Sequence, residues 1–144
     1  MMDILGLEEK IIECRKCDRL VSFREKIARE KRRSYMNWNY WGKAVPGYGD
    51  PNAKIMILGL APAAHGGNRT GRVFTGDKSA DFLFKCLYHV GLANQPNSDH
   101  RNDGLKLDGY ITPAVKCVPP GDKPTADEKA NCEPFLAQEF SLLK

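Results

Sequence analysis

The sequence lacks any long apolar run. No stretch of its 144 residues approaches the roughly 18 consecutive apolar residues of a membrane-spanning helix. The N-terminus lacks the uninterrupted apolar segment of a signal peptide, because Asp3, Glu8 and Lys10 interrupt it. These absences exclude a membrane role and predict a cytoplasmic protein, and the length predicts a single domain.

The sequence also lacks the common motifs of nucleotide-binding proteins. Neither G-x-x-x-x-G-K-[ST] nor G-x-G-x-x-G occurs, so a mononucleotide or dinucleotide fold is disfavoured. Carboxylates are not clustered as a hydrolase with two metal ions requires. There are no internal repeats and no low-complexity tract, so the chain is read as one continuous fold.

Four of the five cysteines fall into two groups towards opposite ends of the chain. Cys14 and Cys17 form a C-x-x-C pair, and Cys117 and Cys132 lie in the last third. In a reducing compartment, such groups more often bind metal or do redox chemistry than form disulfides. From spacing alone, an iron–sulfur cluster and a four-thiolate zinc site are equally supported. Cys86 stands apart on an apolar helix face, which predicts a buried core thiol.

The positive charge is concentrated in one stretch. Between Arg24 and Arg33 there are six cations and two anions, so this stretch alone nets +4, the formal charge of the whole chain. A basic stripe is typical of a surface that meets a phosphate backbone. A solvated helix with Glu–Lys pairs explains the same pattern equally well.

The hydrophobic pattern predicts an α/β fold. Residues 7–33 are helical, with a break near Cys14 to Asp18 that leaves the cysteines accessible. Residues 54–58 form an apolar run that suits a strand buried on both faces. A helix capped by Ser79 and ended by Gly91 leads to a second strand at residues 110–115. A strand–helix–strand unit implies a right-handed crossover and a parallel sheet.

Turn-forming and helix-capping residues predict the structure of the remaining segments. Residues 35–51 are rich in aromatic residues, Gly and Pro, which predicts a structured loop. Thr125 and Glu128 have capping-box spacing and start a short helix. Pro134 suits the first turn of another helix, with Cys132 at the junction between the two.

The segment that leaves the first strand is the candidate binding site, because ligands bind at the carboxyl ends of parallel strands. Residues 59–77 are small, glycine-rich and polar. Small residues let backbone amides approach a ligand, Arg69 and Arg72 can meet phosphate, and Phe74 offers a stacking face. These are the parts of a nucleobase pocket.

Three segments of this loop carry a resemblance to a known family. They are residues 59–62 (Gly-Leu-Ala-Pro), 65–72 (His-Gly-Gly-Asn-Arg-Thr-Gly-Arg) and 74–77 (Phe-Thr-Gly-Asp). With the four cysteines, they resemble the iron–sulfur uracil-DNA glycosylases of bacteria and archaea, in the family 5 or B-type branch. The resemblance spans nearly the whole chain and implies a three-layer α/β/α sandwich around a central parallel sheet.

The resemblance implies a cofactor, a reaction and a partner. Cys14, Cys17, Cys117 and Cys132 would ligate a structural [4Fe-4S] cluster, with zinc as the alternative. The reaction would be hydrolysis of the N-glycosidic bond of uracil, or of other deaminated bases, in DNA after base flipping. This is the first step of base excision repair, and it would take place at the nucleoid of a prokaryotic cell.

The resemblance also assigns roles within the loop. The base would be held by the strand end and by Phe74, that is by Gly59, Leu60, Ala61, Pro62, Ala63 and Phe74. Some related glycosylases carry Asp or Asn where this chain has Ala61, so the water is not activated there. The remaining polar candidates are Asp77, Asn68 and His65. Each has a structural alternative: Asp77 as a helix cap, Asn68 as a turn residue and His65 as a partner of the backbone.

One departure from the family concerns the C-terminus. Relatives carry a His-Pro-Ser motif beyond the point of Lys144, and no histidine follows His100 in this sequence. We therefore expect residues 1–144 to form one glycosylase-like domain that is incomplete at its C-terminus and lacks the last strand and helix. The complete protein is expected to be a monomer. The alternative function is a catalytically inactive iron–sulfur DNA-binding module; an electron carrier would leave the loop at residues 59–77 unexplained.

Overall fold

The computed structural model describes residues 3–143 as five α-helices and three short strands. The helices are α1 (Ile4–Ile12), α2 (Asp18–Glu30), α3 (Gly67–Thr70), α4 (Lys78–His89) and α5 (Ala126–Leu143). The strands are β1 (Tyr48–Gly49), β2 (Met56–Gly59) and β3 (Tyr110–Pro113), and two 3₁₀ turns lie at Arg33–Tyr35 and Pro120–Asp122. Within residues 3–143, none of the helices has the length and apolar content that crossing a membrane requires.

The three strands form one mixed sheet with β3 in the centre. β2 runs parallel to β3, with Ile57 opposite Ile111, which confirms the parallel pairing of the predicted strand–helix–strand unit. β1 pairs with the other side of β3 in the antiparallel direction. The prediction that the first strand is buried on both faces is wrong, because β2 is an edge strand and Leu58 is half exposed.

Two apolar clusters pack on the two faces of β3, and this layering confirms the α/β class. Tyr110 belongs to a cluster with Leu7 and Ile11 of α1 and with Phe135 of α5. Ile111, the next residue along the strand, belongs to a second cluster that includes Phe84 and Leu87 of α4. Successive side chains of a strand point to opposite faces, so β3 separates α1 and α5 from α4.

The N-terminal helices agree with the predicted break. α1 ends at Ile12, α2 begins at Asp18, and Cys17 is the N-cap of α2. Cys14 and Cys17 are both partly exposed. The break therefore leaves the C-x-x-C pair accessible, as the sequence indicates.

Three predictions of local structure need correction. Asp77, and not Ser79, caps α4, because the Asp77 carboxylate accepts the amide of Ala80. Cys86 is exposed, since the buried face of α4 follows Ala80, Phe84 and Leu87 at helical spacing and Cys86 lies off it. α5 begins after a reciprocal Thr125–Glu128 capping box, as predicted, but it continues through Pro134 as one helix and carries Cys132 within it.

Candidate functional site

The four cysteines of the two sequence groups come together in one cluster. Cys117 and Cys132 are buried in the core between α1, α2 and α5, and Cys14 and Cys17 pack against that core. The elements that bring them together are the α1–α2 break, the segment after β3 and the middle of α5. The fold thus joins the N-terminal C-x-x-C pair to cysteines from the last third of the chain.

Nitrogen donors surround the sulfur atoms. Arg24, which is 2 % exposed, donates from Nη1 to the Sγ atom of Cys117 at 3.0 Å and to the carbonyl of Cys14 at 3.1 Å. The Lys116 amide donates to Cys132 Sγ at 3.5 Å, and the Asn131 side chain donates to Cys17 Sγ at 3.4 Å. Such donors stabilise a thiolate more than a thiol, so this environment suits sulfur that carries negative charge.

Burial acts in the opposite direction on these thiols. It raises the pKa of Cys117 to about 11, although the Arg24 guanidinium lowers it in part. Burial also raises the pKa of Cys132. Without a metal centre the two buried sulfurs keep their protons at neutral pH, and metal binding has to displace those protons.

The donor set fits an all-thiolate metal centre. Across residues 3–143, no three His, Cys, Asp or Glu side chains are arranged to hold one ion. A zinc site draws four sulfurs to about 2.3 Å from a single ion. In a four-iron cluster each thiolate binds a different iron, so its ligands surround a wider space. Four thiols with no carboxylate or imidazole among them suit either kind of centre.

The glycine-rich loop begins where β2 ends, and Phe74 lies against that end. A β carbon on Gly59 would come within 2.5 Å of the Phe74 ring, so only glycine lets the ring approach the strand this closely. Phe74 itself has a positive φ of 48°, which is unusual for a bulky residue and marks a constrained backbone. A cavity of about 110 Å³ opens beside the ring, lined by Ala61, Pro62, Ala63, Val73, Phe74, Asp77 and Ser79.

A larger cavity of about 430 Å³ shares two lining residues, Ala63 and Asp77, with the smaller one. Its walls come from the loop and from three other segments: Arg32, Tyr35, Ala63, Ala64, His65, Gly66, Gly76, Asp77, Lys78 and Asp122. Because Ala63 and Asp77 line both cavities, these two residues lie at their boundary. Asp77 lines both cavities, whereas Phe74 lines the smaller one and His65 the larger one, so their membership of one pocket stays a prediction.

The two oxygens of Asp77 have different surroundings. Oδ1 accepts the amide of Ala80 at 2.8 Å and caps α4, whose N-terminus stabilises the negative charge. Oδ2 lies over the Cα atom of Gly66, so closely that a β carbon there would overlap with it. The capping role and a role towards a water molecule are compatible, because each needs only one oxygen.

His65 lies in the wall of the larger cavity and is held by Tyr40. The Tyr40 hydroxyl and His65 Nδ1 are 2.8 Å apart. Burial lowers the pKa of His65, and the positive charges of Arg32 and Arg69 lower it further. The imidazole is therefore neutral at physiological pH.

Asn68, the third polar candidate, is not part of either cavity wall. It is fully buried in α3, and its Nδ2 atom donates to the carbonyl of Arg24 at 3.2 Å. Its Oδ1 atom is enclosed and has no partner within the described part of the chain. Asn68 therefore links α3 of the loop to α2, and through Arg24 to the cysteine cluster.

Arg69, a candidate for phosphate binding, is buried within the loop. Its guanidinium donates to the carbonyl groups of His65 and Gly76. It lies between the rings of Tyr35 and Trp38, at 3.8 and 4.1 Å from their centroids. These contacts attach the aromatic segment after α2 to the loop, so Arg69 has a structural role in this arrangement.

Arg72, the second such candidate, is also buried. It donates to Thr75 and to Ser98, and it forms an ion pair of 2.9 Å with Asp103. Burial alone would raise the pKa of Asp103, but hydrogen bonds from the amides at Asp99 and Leu105 and from Arg72 outweigh it and hold that pKa below its usual range. Phosphate contact by either arginine stays a prediction, and it would require the guanidinium to leave these partners.

The exposed cations of the basic stretch are fewer than the sequence suggests. Arg24 is buried at the cysteines, and Lys31 donates to the carbonyl of Trp38 at 2.6 Å. The remaining four are exposed: Lys26, Arg29, Arg32 and Arg33. Arg32 also lines the larger cavity, so this positive surface continues to the candidate pocket.

Sequence reasoning missed the residues that hold the loop from outside it. The segment after α2 contacts the loop through three aromatic residues, Tyr35, Trp38 and Tyr40. The segment before β3 contacts it through Ser98 and Asp103, which accept hydrogen bonds from Arg72. The aromatic content of residues 35–41 was the available signal, since it predicts a structured loop. Ser98 and Asp103 carry no comparable signal.

The sequence matches one protein superfamily over most of its length. The family model of the uracil DNA glycosylase superfamily matches residues 46–144, which include the loop, β3 and α5. The chain belongs to the uracil DNA glycosylase superfamily. Relatives from Pyrobaculum, Mycobacterium and Thermus are named type-5 uracil-DNA glycosylase.

Three of these relatives illustrate the similarity. A type-5 uracil-DNA glycosylase of Pyrobaculum aerophilum is 51% identical over 136 residues, which are 94% of this chain and 59% of the relative. That of Mycobacterium tuberculosis is 49% identical, over 97% of this chain and 53% of the relative. That of Thermus thermophilus is 46% identical, over 99% of this chain and 64% of the relative. The chain thus spans between half and two thirds of the length of these relatives.

Proposed function

We propose that this chain carries the base pocket of a DNA repair glycosylase that hydrolyses the N-glycosidic bond between uracil and deoxyribose. The observation that carries the proposal is the pair of adjoining cavities that meet at Asp77, one of them closed by Phe74. The relatives named type-5 uracil-DNA glycosylase support the same reaction. The reaction would begin base excision repair, at the nucleoid of a prokaryotic cell.

The base would enter the pocket after its nucleotide is flipped from the duplex. Phe74 offers a ring face for stacking, and the segment at residues 59–63 offers backbone amides at the strand end. Ala61, Ala63 and Ala64 are small, so the walls leave room for larger deaminated bases as well. Release of hypoxanthine from duplex DNA would test this breadth.

Asp77 is the residue proposed to orient the attacking water. Its Oδ1 atom is fixed by the α4 cap, and this leaves Oδ2 free to accept a hydrogen bond from a water at the cavity boundary. A negative carboxylate also stabilises the positive charge that develops on the sugar as the bond breaks. His65 would face the departing base, whereas the position of Asn68 favours a structural role.

DNA would approach along the exposed cations next to the larger cavity. Lys26, Arg29, Arg32 and Arg33 form this surface, and Arg32 reaches the cavity wall. Phosphate contacts of this kind give an affinity that falls steeply with salt. We propose that the protein acts on DNA as a monomer.

Cys14, Cys17, Cys117 and Cys132 would hold a [4Fe-4S] cluster in this proposal. When bound, the cluster would supply a covalent connection among three segments of the chain and no atom to the reaction. Arg24 would offset part of its negative charge through the bond to Cys117. Zinc is the alternative, because four thiolates also form a structural zinc site.

The experiment that tests the reaction compares two Asp→Asn variants at the start of α4, one at its N-cap and one in its first turn. Asp77→Asn removes the carboxylate at the cavity boundary, whereas Asp81→Asn removes one that is exposed a turn later. We expect Asp77→Asn to lower uracil release by about 10² to 10⁴-fold, the range of a positioned proton acceptor, with unchanged DNA affinity. Equal activity of both variants would reject Asp77 as the group that orients water.

The alternative function is a DNA-binding module without catalysis. It is supported by the basic surface and the cysteine cluster, which do not depend on the pocket. It predicts salt-dependent DNA binding with no release of base. Uracil release by the wild-type chain would exclude it.

A further inference from the structure

We infer that Tyr40 is a positioning residue that holds His65 as the neutral tautomer with its proton on Nε2, so that the histidine offers an N–H donor to the larger cavity. The role of this donor towards a base rests on the proposed function. The tautomer itself does not, because it follows from hydrogen bonds outside the reacting groups.

The first step concerns the proton of the Tyr40 hydroxyl. The backbone amide of Arg32 donates to the Tyr40 oxygen at 3.1 Å, so this oxygen already serves as an acceptor. The hydroxyl carries one proton, and His65 Nδ1 at 2.8 Å is its only acceptor within residues 3–143. Tyr40 therefore donates, and Nδ1 accepts.

The second step concerns the two nitrogens of His65. A neutral imidazole has one N–H and one acceptor nitrogen, so acceptance at Nδ1 places the proton on Nε2. Nothing in the described part of the chain is hydrogen-bonded to Nε2, and this atom is not enclosed. His65 lines the larger cavity, and Nε2 is the nitrogen left available to a ligand there.

The third step excludes the charged form. An imidazolium would donate from both nitrogens, and the Tyr40 proton would then have no acceptor within residues 3–143. Arg32 and Arg69 lie close enough to His65 to disfavour a further positive charge, and with burial they lower its pKa. The other charged groups of the cavity are Lys78, Asp77 and Asp122, and none of them is hydrogen-bonded to the ring.

The consequence for the reaction is a donor that needs no proton transfer. Negative charge develops on the base as the glycosidic bond breaks, and a fixed N–H can stabilise it by hydrogen bonding. The edge-to-face contact of the Tyr40 and His65 rings, at an angle of 82°, holds the direction of that N–H. Tyr40 acts here only through His65.

The test is ¹⁵N NMR of the imidazole rings in the 144-residue chain. Long-range proton–nitrogen spectra distinguish the two neutral tautomers and the imidazolium. We expect His65 to show a protonated Nε2 and an unprotonated Nδ1 at neutral pH. His89 and His100 are exposed and serve as internal references in the same spectrum.

A matched pair of variants tests the part played by Tyr40. Tyr40→Phe removes the donor, and we expect His65 to become a mixture of tautomers with a higher pKa. Tyr35→Phe removes a hydroxyl of the same cavity that has no hydrogen-bond partner within the described residues, and we expect the His65 spectrum to stay unchanged.

Three results would overturn the inference. They are a protonated Nδ1 in the wild-type chain, an imidazolium at neutral pH, and an unaltered tautomer in Tyr40→Phe. If Tyr40→Phe does not fold, the wild-type spectrum still shows which nitrogen of His65 carries the proton. A chain with the expected tautomer but no uracil release would keep the inference and reject the proposed function.

Discussion

At the scale of single residues, Gly66 determines where the Asp77 carboxylate can lie. A β carbon at Gly66 would overlap with Asp77 Oδ2, so Gly66→Ala has to displace that oxygen from the cavity boundary. A misplacement of about 1 Å can lower a reaction rate on the order of 10²-fold. We expect a loss of uracil release of this size in Gly66→Ala, measured in single-turnover assays with DNA affinity followed in parallel.

Gly109→Ala is the matched control for this prediction. The nearest atom to a β carbon there, the carbonyl oxygen of Ile55, is 3.4 Å away, and the position does not have a positive φ. Gly109→Ala should therefore retain most of the activity. Full activity in Gly66→Ala would contradict the assigned position of the Asp77 carboxylate.

The same scale shows which site residues the sequence can reveal. Phe74, Asp77 and His65 follow one strand within one loop, so local spacing is enough to place them along the two cavities that share Asp77. The burial of Arg72 was not predictable, because its partner Asp103 comes from a distant segment. Cys86 was misjudged, since an apolar helix face in the sequence does not say which part of it meets the core.

At the scale of elements, a buried ion pair joins the segment after β3 to α5. Lys116 donates to Glu139 at 2.6 Å, and both side chains are almost fully buried. Thr112 of β3 donates to the second oxygen of Glu139 at 2.6 Å, so the carboxylate is fully engaged. Burial lowers the pKa of Lys116, and Glu139 opposes this effect.

We expect Lys116→Met to destabilise the chain by about 3–5 kcal/mol, because it leaves the Glu139 charge buried and unpaired. The double variant Lys116→Met with Glu139→Leu should recover much of this loss, since two apolar groups replace both charges. Urea unfolding measures both values. Arg15→Ala, which breaks an exposed pair with Glu25, should leave the free energy of unfolding nearly unchanged. A double variant no more stable than Lys116→Met would contradict the argument.

Element boundaries were predictable where a cap or a break fixes them locally. The Thr125–Glu128 box and the interruption between α1 and α2 are local signals, and the structure contains both. The passage of α5 through Pro134 was not predictable, because contacts of the flanking turns with the core decide whether a helix continues. The exposure of β2 depends on which strands pair with it, and the sequence of one strand does not specify its neighbours.

At the scale of the whole molecule, the cysteine cluster holds the two ends of the chain together. Its members come from the α1–α2 break, the segment after β3 and α5. We expect the chain, purified without oxygen, to contain iron and sulfide in equal amounts. Cys132→Ser should lose both and unfold at a lower temperature, because bound metal contributes its binding energy to folding.

Cys86→Ser is the control for this prediction, since Cys86 is exposed on α4 and belongs to neither group of cysteines. It should keep its iron and its unfolding temperature. Stoichiometric zinc without iron in the wild-type chain would contradict the assignment of the cluster. Iron retained by Cys132→Ser would contradict the assignment of that ligand.

The measurement that tests the central claim most directly is uracil release by the wild-type chain with protein in excess over DNA. Two labelled oligonucleotides that differ in one base, uracil or thymine, separate chemistry from binding. We predict free uracil and an abasic site from the first oligonucleotide and no release from the second. Binding of both oligonucleotides without release of any base would contradict the claim that residues 59–77 form a catalytic pocket, and it would leave this chain as a DNA-binding module.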